Sequence, residues 1–264
     1  MSVQSHLETT ASALVLSESE KGGISTSISR LKSKLSENFG DSEISEQLQF
    51  GSSTRGTQLP RKVDMESDID YMVVFKNAES YKPQTFIEKL KQFAETKYPT
   101  SEIYRSYPTV VLELNHIKFE LVPAYKGPWI SNNYFIPGPK SGFSEWITTD
   151  PNGFNRGLID KNQGCNYLLK PLIRLVKYWN AQNGYIYNSY ELELDITNAS
   201  YWNCSTLKDY FYTAIQNLHT WNLSISDSNK VARAKEIIQN AKKSEADGMP
   251  FTAELEIKKL IPEL

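Results

Sequence analysis

Cysteine is scarce. The 264 residues hold only Cys165 and Cys204, with no CxxC spacing. A disulfide-stapled secreted scaffold is thereby excluded, and with no leader-like segment at the start a reduced, cytoplasmic setting is expected. Histidine is nearly as sparse: His6, His116 and His219 are scattered, so a zinc centre built from His and Cys is not expected. Long apolar runs are missing too, since "ASALVL" near the start falls far short of a membrane span. Neither sign of charge dominates. With 29 Lys and Arg against 31 Asp and Glu, the net charge of -2 gives no global reason to coat nucleic acid, and any basic patch must be local. What the chain does have is core-forming material. Its 15 Tyr, 11 Phe and 5 Trp suffice for one large domain or two closely packed lobes.

The hydrophobic pattern divides the chain in two. In "GISTSISRLKSKLSENFG", Ile24, Ile28, Leu31 and Leu35 recur at helical spacing. A short strand, "EQLQF", leads into Gly51-Ser52, and "DIDYMVVF" follows as a second strand. "PQTFIEKLKQFAETKY" sets Phe86, Ile87, Leu90, Phe93 and Ala94 on one helical face, with Pro83 suited to the first turn. "TVVLELNHIKFELVPAY" reads as a hairpin turning at Asn115-His116. That register opposes Leu114 with Ile117, Leu112 with Phe119 and Val110 with Leu121 on an apolar face. Glu113 then opposes Lys118, and Val111 opposes Glu120, on the other face. From Lys126 to Asn155 the chain is rich in Gly, Pro and turn signals, reads as a connection, and is a positional candidate for lining an acceptor pocket.

Beyond it the pattern is helical. Leu168, Leu172, Leu175, Val176 and Trp179 form a stripe, with Lys170, Arg174 and Lys177 on another face. Pro171 either begins this helix or bends it. Further helices are expected in "STLKDYFYTAIQNLHTW", "NKVARAKEIIQNAKKSEA" and "FTAELEIKKLI". The fold class expected is α+β: a mixed sheet with flanking helices, then a helical lobe, divided as residues 1–155 and 156–264.

Aspartate is depleted in strands, yet Asp68 and Asp70 open an apolar one. Side chains two apart on a strand share a face, roughly 6–7 Å apart, so the two carboxylates can converge on a hard divalent cation such as Mg²⁺. A third carboxylate from a neighbouring strand would complete a two-metal site with ions about 3.5–4 Å apart, and Glu120 is the natural candidate. Glu113 is a rival that an ion pair with Lys118 explains, while Asp64 and Glu66 read as solvated loop residues. Gly51 permits close backbone approach and Ser52 adds a donor, so the turn suits phosphate oxygens. Each feature alone has a plain reading: a DxD is common at exposed strand ends, Gly-Ser is ordinary turn chemistry, and the three cations could be the solvated side of a helix. Together they describe phosphoryl-transfer electrostatics.

Taken in order, "FGSSTRGT", "SDIDYMVVF", "KFELVPAY", "LIRLVKYWN" and "NSYELE" resemble the polymerase-beta-like nucleotidyltransferases. More narrowly they resemble the bacterial cyclic GMP-AMP synthase/DncV-like enzymes, also called CD-NTases or SMODS nucleotidyltransferases. The resemblance runs from about Ile24 to the C-terminus. It implies a catalytic core with N-terminal helices, and a helical lobe that completes the nucleotide site. It implies an enzyme that joins NTPs into a cyclic di- or oligonucleotide, a second messenger in antiphage defence, with Mg²⁺ or Mn²⁺ as cofactor. An activating partner protein or a phage-derived ligand belongs to the same picture. By motif, Gly51 and Ser52 would contact the triphosphate, and Asp68, Asp70 and Glu120 would hold the metal. Lys177 would meet phosphate, Ser189 would add a hydroxyl and Tyr190 would stack on a base. The family most often has Asp where this chain has Glu120, which moves that carboxylate outward by a methylene. Alternatives left open are nucleotidyl transfer to an RNA or protein acceptor, and a nucleotide-binding sensor without turnover.

Overall fold

Alternating side-chain direction on the strands, and one apolar stripe per helix, decide which surfaces of this chain can be buried. A computed structural model describes residues 2–127, 133–138, 144–151 and 153–264. The chain begins with α1 (Val3–Ala13) and α2 (Glu18–Glu43), then β1 (Ile44–Phe50), the short α3 (Ser52–Arg55) and β2 (Ile69–Phe75). Next come α4 (Pro83–Lys97), β3 (Glu102–Ser106), β4 (Thr109–Leu114), β5 (Ile117–Lys126), β6 (Tyr134–Pro137) and β7 (Trp146–Thr149). The remainder is helical: α5 (Gly153–Gly164), α6 (Leu169–Gln182), α7 (Ser189–Asn198), α8 (Leu207–Asn217), α9 (Ile225–Ala246) and α10 (Pro250–Lys258). The α+β class with a mixed sheet is as expected.

Two compact units result. One comprises Ser17–Arg61 and Glu66–Gly157; the other comprises Met1–Leu16, Lys62–Met65 and Leu158–Leu264. The first differs from a simple 1–155 core because α1 packs with the late helices α6, α8 and α10. His6, buried on α1, ties its Nε2 to the Ile261 carbonyl at 2.8 Å.

The sheet unit is ordered β1-β2-β5-β4-β3, with β6 pairing β5 and β7. β2 and β5 run parallel, while β1, β4 and β3 pair antiparallel with their neighbours. Every pair of the β4–β5 register read from the sequence is present, from Leu114 opposite Ile117 to Val110 opposite Leu121. Helices α2 and α4 cover one face. Leu31, Leu35, Phe39, Leu90 and Phe93 from the helices meet Val73, Phe75, Leu112, Phe119 and Leu121 from the strands. On the other face a smaller cluster holds Met72, Val74, Ala124 and Tyr134. Burial on both faces explains why β2 reads as an unbroken apolar run. Alternation then has a direct consequence. Asp70 shares the second face with Met72 and Val74, and Glu120 shares it with Ala124, so the acids open away from the helices.

Local chemistry accounts for the ends of these elements. Ser17 Oγ accepts from the Glu20 amide at 3.2 Å and the Glu20 carboxylate accepts from the Ser17 amide at 2.8 Å, a reciprocal cap that starts α2 before Ile24. Gly40, at φ +64°, breaks the helical run and hands the chain into β1. Pro171 is the third residue of α6, where its missing N–H leaves no bond unmade, so the helix begins there and is not bent. The connection after β5 is more ordered than its composition suggested, since β6 and β7 pair within it. Residues 128–132, 139–143 and 152 of the suggested acceptor lining lie outside the described residues.

Candidate active site

The site grows from the start of β2. Asp70 pairs laterally with Glu120 of β5 on one side and with Phe50 of β1 on the other. Gly51 therefore passes beside the Asp70 side chain. A Cβ on Gly51 would fall 1.7 Å from Asp70 Oδ2 and 2.6 Å from its Cγ, so only glycine fits. The backbone agrees, with φ +74° and ψ −159°, a region essentially closed to L side chains.

The turn after Gly51 is held by its own groups. Its carbonyl accepts from the Thr54 amide at 3.2 Å and from Thr54 Oγ1 at 2.9 Å, and the Ser52 carbonyl accepts from the Thr57 amide at 3.2 Å. Ser53 Oγ donates to the Phe50 carbonyl at 3.1 Å. Arg55, buried at the end of α3, lies over the Phe154 ring at 4.9 Å, and Asn155 Nδ2 donates to Thr54 Oγ1 at 3.2 Å. The Gly-Ser turn is thus fastened to the start of α5.

Asp68 enters the site from a loop that is equally pinned. Gln58 Nε2 donates to the Asp68 carbonyl at 2.9 Å, and Ser67 Oγ donates to the Leu59 carbonyl at 2.7 Å. The Asp68 and Glu120 carboxyl groups meet in a hydrogen bond. Burial, and next the Asp68 charge, push Glu120 up to about 7, while Lys118 and Thr109 pull the other way. Thr109 Oγ1 lies 3.4 Å from Glu120 Oε2. Lys118, with its side chain only 6% exposed, bonds Glu66 Oε2 at 2.7 Å. Burial alone would lower its amine, but the Glu66 bond and the charges of Asp68, Glu66 and Glu120 hold it above the usual lysine value.

The structure brings Asp68 and Glu120 together and sets Asp70 against Gly51 in the same strand register. Among the described residues no three Asp, Glu, His or Cys side chains gather closely enough to hold an ion as they stand. The donor chemistry nevertheless fits a hard divalent cation. The carboxylates offer oxygen alone, and two of them already lie close enough to bond one another.

Three sequence readings change. Glu113 faces Lys118 across the strands, but its carboxylate bonds Arg61 at 2.7 Å, because the long Lys118 side chain reaches Glu66 instead. Glu66 is therefore paired, though 64% exposed. Asp64 is buried and accepts a hydrogen bond from the Tyr185 hydroxyl at 2.7 Å, within the helical unit.

The other expected contacts, Lys177, Ser189 and Tyr190, all belong to the helical unit. Lys177 is buried, so it is not part of a solvated helix face. Ser189 and Tyr190 open α7, whose first turn is capped by Asn188 Oδ1 accepting from the amides of Tyr190 at 2.9 Å and Glu191 at 3.2 Å. Tyr190 is 51% exposed and presents a ring to solvent.

Sequence reasoning missed Lys118, Thr109 and Gln58 as parts of the site. The first two were within reach. Lys118 lies two residues before Glu120 on the same strand face, and Thr109 lies diagonal to Glu120 in the hairpin register. Gln58 carries no such signal.

Comparison with known proteins agrees with the motifs. Residues 1–162 match the profile of the Second Messenger Oligonucleotide or Dinucleotide Synthetase (SMODS) domain. A probable cyclic nucleotide synthase of Bacillus cereus (strain VD146) is 32% identical over 149 residues. That match takes in 50% of this chain and 44% of the relative, so the chain spans less than half the relative's length. Among solved structures, the Bradyrhizobium diazoefficiens CD-NTase CdnG in complex with GTP superposes with a TM-score of 0.72 at 10% identity, covering 98% of both chains. The CdnC:HORMA-deltaN complex of E. coli MS115-1 gives 0.68 at 13% identity, covering 96% of both. At such identities the likeness is one of fold, and the fold is that of the CD-NTases.

Proposed function

The chain belongs to the Second Messenger Oligonucleotide or Dinucleotide Synthetase family, and on that premise we propose that it condenses NTPs into a cyclic di- or oligonucleotide. The observation that carries the reading is the Asp68–Glu120 contact, set beside an Asp70 whose carboxylate excludes every residue but glycine from the neighbouring turn. In the reaction, a ribose hydroxyl of one nucleotide forms a bond to the α-phosphorus of another. The bond from that phosphorus to the β-phosphate bridging oxygen breaks, and pyrophosphate leaves. A second transfer of the same kind closes the ring.

Asp68, Asp70 and Glu120 would hold Mg²⁺ or Mn²⁺, which when bound supplies charge stabilisation for the attacking and leaving oxygens. The chain's own contribution is placement. Gly51 brings backbone close to where a triphosphate must lie, and Ser52 adds a hydroxyl. Thr109 and Gln58 hold Glu120 and the Asp68 backbone in register. By family resemblance Lys177 meets phosphate, Ser189 supplies a hydroxyl and the exposed Tyr190 ring stacks on a base. No helix among the described residues is long and apolar enough to cross a membrane, and both cysteine thiols are free, which supports a place in the cytoplasm. The CdnC:HORMA-deltaN complex of E. coli MS115-1 supports a partner protein here, to which we assign an activating part, and the family's part in antiphage signalling is the role we assign.

The test is direct. Pure protein incubated with labelled NTPs and Mg²⁺ or Mn²⁺ should give a phosphatase-resistant product, identified by mass spectrometry. Asp68→Ala combined with Asp70→Ala should abolish it. Equal product from the double variant would remove the metal assignment. Label appearing only on added RNA or protein would replace ring closure with transfer to that acceptor.

A further inference from the structure

Lys118 is a charged part of the acid site to which neither the resemblance nor the reaction gives a role. It is a buried ammonium on β5, two residues before Glu120 and on the same strand face as Glu120 and Asp70. Its Nζ is fixed at 2.7 Å from Glu66, a largely exposed residue in the loop that delivers Asp68. The charges of Asp68 and Glu120 both act on it. A solvent-exposed carboxylate is screened, whereas a buried ammonium is screened much less. The Lys118–Glu66 pair therefore leaves net positive potential where Asp68 and Glu120 meet.

We infer that Lys118 is a positioning residue whose fixed positive charge keeps a divalent cation from settling on Asp68 and Glu120 until a polyphosphate arrives with it. This rests on the proposed function, because it assumes that those acids are the metal ligands. Two carboxylates beside a built-in ammonium attract a cation less than two carboxylates alone. An NTP brings several negative charges of its own and reverses that balance. The wild-type protein should thus bind the metal weakly by itself and far more tightly with nucleotide present.

The experiment measures Mn²⁺ binding to the full chain by electron paramagnetic resonance, first without nucleotide and then with a non-hydrolysable NTP analogue. Lys118→Met keeps the length and apolar contacts of the stem and removes the charge. It should tighten nucleotide-free Mn²⁺ binding about tenfold at low salt. Lys118→Arg, which keeps the charge, should stay within about twofold of wild type. Thermal unfolding of each variant checks that the fold persists, and the Glu66 carboxylate left behind is 64% exposed, so water can solvate it. A folded Lys118→Met protein with wild-type or weaker Mn²⁺ affinity overturns the inference. Asp68→Asn with Glu120→Gln should lose Mn²⁺ binding, leaving the six-line spectrum of the free ion at full amplitude. If that variant binds like wild type, the metal site of the proposed function falls and the inference with it. If binding is lost there but unmoved in Lys118→Met, the inference alone falls.

Discussion

Replacing Gly51 with alanine tests the closest contact in the site. The new methyl group would sit 1.7 Å from Asp70 Oδ2, 2.6 Å from Cγ and 3.0 Å from Cβ. Rotating the carboxylate relieves the first two contacts but not the third, which needs β1 and β2 to part. At φ +74° and ψ −159° the alanine backbone is also strained, at about 1–3 kcal/mol. Overpacking adds about 1–3 kcal/mol. The sum, about 2–6 kcal/mol, should lower the unfolding midpoint by at least roughly 4 °C for a unit of this size.

A double-mutant cycle separates the two contributions. In an Asp70→Gly background the steric part disappears and the backbone part stays, so the coupling between the sites should be about 1–3 kcal/mol. Urea unfolding followed by circular dichroism gives the free energies. Hydrogen exchange at β1 and β2 amides shows whether the loss is local. A Gly51→Ala protein within about 0.5 kcal/mol of wild type, or a strictly additive cycle, would refute the placement of the turn against Asp70.

Other outcomes follow from particular contacts. At the start of α8, Asp209 accepts from the Thr206 amide at 2.9 Å, from Thr206 Oγ1 at 2.7 Å and from the Ser205 amide at 3.1 Å. Burial opposes its charge, yet these bonds hold its carboxyl below the usual range. The cap's stabilisation is therefore present above the ordinary Asp value and lost as pH falls through the lower folded one. Asp209→Asn should cost about 1 kcal/mol at neutral pH, and the difference from wild type should vanish in acid thermal melts. Tyr185→Phe removes a hydrogen bond to the buried Asp64 and should destabilise the helical unit by about 1.5–3 kcal/mol in urea. An unchanged midpoint would count against that bond. Tyr190→Ala should weaken nucleotide binding by about 1–3 kcal/mol in calorimetry without moving the melting temperature. Unaltered affinity would remove the stacking role.

Much of the acid site was legible because strand period is unforgiving. Once Asn115-His116 is taken as the turn, each residue of β4 and β5 has one partner and one face, and Glu120 follows. Reach is a different matter. Lys118 has a cross-strand acid at Glu113 but bonds a loop residue, a choice that depends on backbone course and not on period. Helix α1 cannot be read from the hydrophobic pattern because its buried positions are Val3, His6, Leu7, Thr10 and Ala11, a helical stripe in which two members are not apolar. Strand β3 was missed for the opposite reason. It is an edge strand with most of its residues exposed, so there was no buried face to read.

The bond between His6 and Ile261 joins residues 255 positions apart. During synthesis the sheet unit has all of its residues once Gly157 is made, whereas α1 must wait for Ile261. Removing either partner of that bond, His6 or the segment around Ile261, should therefore injure the same helical unit and spare the strands.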